Sequence, residues 1–135
     1  DAPGLADGYF VAPTVFAGVH NQMRIAREEI FGPVAPLIPF DGEDEAVAIA
    51  NDTSYGLTAG LWTRDVGRSH RVAARIDAGM VWVNTYRYIR WTTPYGGMKA
   101  SGWGRENGIE ALDNFLETRT TIVSTTGKFP NPYAQ

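Results

Sequence analysis

The chain has 135 residues, 44% apolar and 20% charged, which is globular composition and a length able to bury a core of its own. Its net charge of −3 argues against a nucleic-acid partner, because holding a phosphate backbone takes clustered excess Lys and Arg. No apolar run reaches the ~18 residues of a membrane span, and the complete lack of cysteine excludes disulfides, thiolate metal sites and a cysteine nucleophile.

The predicted elements alternate between strand and helix. Residues 8–16 are rich in aromatic and β-branched types and read as a strand interrupted at Pro13, so near a sheet edge. Asn21 is placed to cap a short helix through Met23, Ile25 and Ala26, ending near Glu29 before Gly32 and Pro33. Residues 34–40 form an irregular strand carrying Pro36 and Pro39. Asp41 is expected to cap the next helix, whose first turn holds Glu43, Asp44 and Glu45 at the positive end of the helix dipole. That helix runs to about Asn51, and Gly56 supplies a flexible turn into a strand over residues 57–63.

Asp65 then caps a helix with Val66, Ala73 and Ile76 on one face, ending at Ala78 and Gly79. Residues 80–84 are the next strand. Strands separated by helices of this length call for parallel pairing with right-handed crossovers, so the fold class is α/β with a parallel βαβαβ core. A loop over residues 85–105 leads to an amphipathic helix marked by Ile109, Leu112, Phe115 and Leu116. Residues 119–125 read as a last β-branched strand, and residues 127–135 as a mobile tail.

Several residues are candidates for chemistry. Glu29 and Phe31 flank a break between helix and strand, where α/β sheets bind ligands. A carboxylate there can accept two ribose hydroxyls and an aromatic ring can flank a planar heterocycle; a solvated helix-end acid and a core Phe are the plainer alternative. Glu106 follows a Gly-rich turn and precedes the predicted helix, so it either serves a site or stabilises a helix start, worth at most ~1 kcal/mol. The glycines at 102, 104 and 108 follow a loop and lack a Lys-Ser or Lys-Thr pair, so no phosphate loop is read there. Residues 85–95 are dense in aromatics and arginines: Tyr86, Arg87, Tyr88, Ile89, Arg90, Trp91 and Tyr95. His20 and His70 are too isolated for a metal site.

Three stretches carry a resemblance: Arg27-Glu28-Glu29-Ile30-Phe31-Gly32-Pro33-Val34, Asn51-Asp52-Thr53-Ser54-Tyr55-Gly56-Leu57, and Pro94-Tyr95-Gly96-Gly97-Met98-Lys99-Ala100-Ser101-Gly102-Trp103-Gly104-Arg105-Glu106. Together they resemble the C-terminal part of NAD(P)-dependent aldehyde dehydrogenases. The resemblance implies an enzyme that oxidises an aldehyde to a carboxylic acid through a cysteine thiolate and a general-base Glu, neither of which this chain supplies. It implies that Glu29 contacts the nicotinamide ribose, Phe31 packs by the nicotinamide, Glu106 is a secondary proton-handling group, and Ile89 and Tyr95 face the aldehyde. The family's tunnel at residues 85–95 implies that Arg87 or Arg90 favours an acidic substrate, with a surface position for each as the plainer alternative, and Trp91 departs from the small residue expected in that tunnel.

The same resemblance assigns residues 1–118 to the end of a catalytic domain, 119–126 to an oligomerisation strand and 127–135 to a flexible tail. It further implies NAD or NADP as cofactor, a missing N-terminal part as partner, a homo-oligomer (dimer or tetramer) through 119–126, and a cytoplasmic location. The first residue is Asp1 and no basic-then-apolar leader follows it, which fits a processed protein or a fragment. The isolated chain is then expected to be inactive. The rival reading is a stand-alone truncated module, kept for binding or assembly without catalysis.

Overall fold

Three two-stranded sheets make the hydrogen-bonded frame of the computed structural model, which describes residues 4, 8–128 and 131–133. The first sheet pairs β1 (Thr14–Phe16) with β2 (Val34–Pro36) in parallel, around the single-turn helix α1 (Arg24–Arg27). The strand begins only at Thr14, later than expected, because Pro13 has no N–H to donate; Thr14 N donates to Pro33 O at 2.9 Å instead. Nor does Asn21 cap α1. The N-cap is Met23, and the Asn21 amide is spent on Ile49 O at 2.9 Å and on the Asp52 carboxylate at 3.1 Å. With no side-chain cap and no buried face, α1 stops at Arg27.

The helix α2 (Glu43–Asn51) carries the acidic first turn predicted for it, but its N-cap is Gly42 at φ +88°. Asp41 contributes a backbone N–H to the Glu45 carboxylate, so the expected roles of donor and acceptor are exchanged. The best-formed unit is β4 (Thr58–Leu61), α3 (Val66–Ala73) and β5 (Met80–Val83). Here Asp65 caps α3 as predicted, accepting Arg68 N at 2.8 Å, and β4 runs parallel to β5 in the register Thr58 to Met80 through Leu61 to Val83. Glu43 binds Arg68 at 2.6 Å and Arg71 at 2.9 Å, tying α2 to α3.

A third, antiparallel pair joins β3 (Tyr55–Gly56) to β6 (Met98–Lys99). Gly56 is therefore no flexible turn. It is a strand residue with no room for a side chain, since an added Cβ would lie 2.6 Å from Asp77 O. Gly79 N donates to Gly56 O at 3.0 Å, and a Cβ at Gly79 would overlap the Gly96 carbonyl. These close backbone approaches bring the Gly96-Gly97 turn against the start of β5. The α/β class holds, but the parallel pairs lie in separate sheets and an antiparallel pair accompanies them.

The C-terminal third departs most from expectation. The amphipathic helix is a 3₁₀ helix (Ile109–Asn114), with Ile109, Leu112, Phe115 and Leu116 all exposed. An apolar stripe sustains an α-helix only when it has a surface to pack on, and none is present here. Among the described residues, 119–125 pair with no strand. Of the tail, residues 129, 130, 134 and 135 lie outside the described residues.

The expected self-sufficient core is absent too. Among the described residues only Val19, Val47 and Trp82 are buried apolar side chains. The chain exposes 11482 Å², well above the ~7,000 Å² of a folded 14.8 kDa monomer. Its apolar faces are formed but not closed on one another.

Candidate active site

Two of the predicted site residues are joined directly. Tyr95 N donates to Glu106 O at 2.7 Å and Glu106 N to Tyr95 O at 2.6 Å, an isolated antiparallel bridge across the Gly-rich turn. Arg105 locks the same turn, donating from Nη1 to Gly97 O at 3.0 Å and to Gly104 O at 2.6 Å. Asn114 Nδ2 donates to Arg105 O at 2.8 Å. Tyr95, Glu106, Leu57, Ser101 and Trp103 line one open cavity of about 240 Å³. The Glu106 carboxylate is exposed and, among the described residues, has no hydrogen-bond or ion-pair partner. It does not stand at the start of an α-helix, so the helix-dipole explanation for an acid at this position does not apply.

Glu29 and Phe31 sit on the other side of α1. Arg27 anchors that helix, with Nε to Asn21 O at 2.5 Å and Nη2 to Asp52 at 2.9 Å, so its end is fixed against the end of α2. Glu28 is engaged locally: Arg24 Nε lies 2.7 Å from its carboxylate, and this hydrogen bond holds the Glu28 carboxyl below its ordinary pKa. Glu29, one residue on, has no such partner among the described residues. Phe31 has φ +53° and is 94% exposed. A bulky side chain in the left-handed region costs on the order of 1–3 kcal/mol, and here no packing within the chain offsets it.

Ile89, the remaining site candidate, lies exposed in the loop after β5 and is not among the residues that line the Tyr95 cavity. That loop is pinned at both ends. Trp82 Nε1 donates to Tyr88 O at 2.9 Å, and Gly108 N to Trp91 O at 2.9 Å. The structure thus brings Tyr95 and Glu106 together, while Glu29, Phe31 and Ile89 are each exposed.

Other bracing residues escape a sequence reading. Asn84 (φ +55°) makes a two-way bridge to Thr63, accepting Thr63 N and donating to Thr63 O, each at 2.8 Å. Lys99 Nζ donates to Asn51 O at 2.9 Å and Thr53 O at 3.2 Å, closing the end of α2. Both contacts link residues more than twenty positions apart, and only an Asn directly after a strand hints at the first. A larger cavity, about 550 Å³, lies elsewhere, between α2, α3 and the β4–β5 sheet, lined by small and apolar residues such as Ala46, Ala59, Leu61 and Ile76.

With this geometry described, comparison with known proteins decides the family. The model of the aldehyde dehydrogenase family matches residues 1–121. The chain belongs to the aldehyde dehydrogenase family. Among curated relatives, a betaine aldehyde dehydrogenase of Mesorhizobium japonicum is 51% identical over 130 residues, 96% of this chain and 26% of that protein. The chain thus spans about a quarter of the length of such relatives.

Among solved structures, a Staphylococcus aureus betaine aldehyde dehydrogenase in complex with NAD+ superposes with a TM-score of 0.92 at 38% identity, covering 100% of this chain and 27% of that one. A P. syringae indole-3-acetaldehyde dehydrogenase in complex with NAD+ superposes with a TM-score of 0.81 at 49% identity, covering 83% and 23%.

Proposed function

We propose that the chain forms the C-terminal part of the catalytic domain of an aldehyde dehydrogenase that converts an aldehyde to a carboxylic acid with NAD+ or NADP+. The observation that carries this reading is Phe31, a phenyl ring held outward in a strained left-handed conformation beside the unpaired carboxylate of Glu29. Strain kept at an exposed position fits a ring waiting for a partner. An exposed aromatic next to a free carboxylate suits the two features of a nicotinamide riboside, a flat ring and a vicinal diol.

In this reading Glu29 accepts the ribose hydroxyls and Phe31 flanks the nicotinamide, setting its distance from the aldehyde carbon. The cofactor supplies the hydride acceptor. The nucleophilic thiolate and the general base come from the rest of the enzyme, since this chain has no Cys. Tyr95 faces the aldehyde, Ile89 would reach it from the loop after β5, and Glu106, held by its backbone bridge to Tyr95, handles protons in the cavity that both line. Residues 1–118 belong to the catalytic domain, residues 119–126 pair with a second copy in a dimer or tetramer, and residues 127–135 are a tail. A cytoplasmic location is part of the same reading and rests on the family resemblance alone.

A stand-alone, non-catalytic module is the weaker reading, because so much apolar surface needs covering by more protein. The discriminating experiment is direct. The purified 135-residue chain should form no NADH or NADPH with any aldehyde, while a full-length enzyme containing it should. Turnover by the chain alone would overturn the proposed division of roles.

A further inference from the structure

From Ala78 to Arg105 the sequence holds no Asp or Glu, yet it holds Arg87, Arg90, Lys99 and Arg105, in a chain whose net charge is −3. Lys99 and Arg105 are committed to backbone carbonyls. Arg24, Arg27, Arg68, Arg71 and Arg75 each hold a carboxylate. Arg87 and Arg90 have no carboxylate partner among the described residues. Instead each lies over a neighbouring ring: the Arg87 guanidinium is 5.3 Å from the Tyr86 centroid and that of Arg90 is 5.1 Å from the Tyr88 centroid. Arg90 Nε also donates to the Tyr88 hydroxyl at 2.5 Å, which leaves its two terminal nitrogens free.

The loop that carries them is built to hold them there. Tyr86 packs edge-on against the buried Trp82 ring at 5.5 Å, the Tyr88 carbonyl is fixed by the Trp82 indole, and Arg87 itself has φ +57°. A quaternary ammonium group is recognised by open aromatic faces without nearby cations. Here a guanidinium of the chain already lies over each tyrosine and adds like charge. A carboxylate meets the opposite situation: unpaired guanidinium forks are suited to bidentate hydrogen bonding.

Resting on the reading of residues 85–95 as a wall of the aldehyde site, we infer that Arg87 and Arg90 select aldehydes bearing a carboxylate and reject those bearing a quaternary ammonium. In this respect the chain parts from the betaine aldehyde dehydrogenases to which it is similar, whose named substrate carries a fixed positive charge.

The test uses the full-length enzyme and three probes: 4-oxobutanoate, its methyl ester, and betaine aldehyde. The wild type should show kcat/KM for 4-oxobutanoate about ten- to a hundredfold above the ester, with betaine aldehyde last. That ratio should shrink as salt is raised, which needs no variant to observe. In the double variant Arg87→Gln, Arg90→Gln the ratio should fall to about one, whereas the Lys pair should retain most of it because charge is kept. Arg75→Gln, at the far end of α3 with Asp44 as its partner, should leave the ratio as it is in the wild type. An enzyme that oxidises the ester but shows no preference, or a ratio untouched in the Gln pair, overturns the charge assignment alone. An enzyme that oxidises other aldehydes but none of the three also overturns the charge assignment, whereas one that oxidises no aldehyde overturns the dehydrogenase reading as well.

Discussion

The β4–α3–β5 unit and the segment from Ile109 to residue 124 both carry apolar residues at regular spacing, and they end in opposite states. In the first, Asp65 caps a helix that returns the chain to a parallel partner within some twenty residues, and Trp82 is buried at the join. In the second, an equally plain pattern yields a 3₁₀ helix and an unpaired stretch, with Ile122 and Val123 exposed. A pattern specifies which face must be covered. Whether the regular element forms depends on the cover being present.

The largest loss is expected from damage to the well-formed β4–α3–β5 unit. Gly79→Ala forces a Cβ into the Gly96 carbonyl, so thermal unfolding of the complete enzyme should show a loss on the order of a few kcal/mol or no soluble protein. Normal stability in that variant would mean the β5 entry and the Gly96 turn are not packed as described. Trp82→Ala should cost ~3–5 kcal/mol by the same measurement, since it empties the buried join and frees the Tyr88 loop.

The exposed side is sharpened by deletion. Removing residues from 119 onward in the complete enzyme should lower its oligomeric mass in light scattering, because an unpaired β-branched edge seeks a partner chain. An unchanged mass would count against that pairing. The smallest effect comes from acid. The Arg68 and Arg71 hydrogen bonds hold the Glu43 carboxyl below its ordinary pKa. A carboxylate depressed in the folded state stabilises above its unfolded pKa and loses that contribution as pH falls through the folded one. Glu43→Gln should therefore lower the melting temperature slightly at neutral pH and make no difference at the acid end of the range.

How much of this was legible in the sequence follows from the range of each interaction. The Asp65 cap was, because donor and acceptor are three residues apart. The caps assigned to Asn21 and Asp41 failed, as Asn21 is drawn to Ile49 and Asp52 and Gly42 takes the capping position. Gly56 reads as a hinge until Asp77, far away in sequence, is seen against it. A contiguous motif singles out Glu29 and Phe31 as candidates, yet the strain at Phe31 and the engagement of Glu28 with Arg24 are visible only in three dimensions. The bridge that seats Glu106 beside Tyr95 depends on a turn of Gly residues whose path no local propensity dictates.

The claim that this segment grips the nicotinamide end of the cofactor rests most heavily on Glu29. Its direct measurement is the hydride-transfer rate and primary isotope effect with deuterated aldehyde in the complete enzyme, comparing Glu29→Gln with Glu28→Gln. Losing a charge-assisted hydrogen bond that positions the reacting carbon should slow hydride transfer on the order of tenfold to a hundredfold and enlarge the isotope effect. Glu28→Gln, which only releases Arg24, should leave both near the wild-type values. The reverse pattern, with Glu28 sensitive and Glu29 silent, would contradict the account.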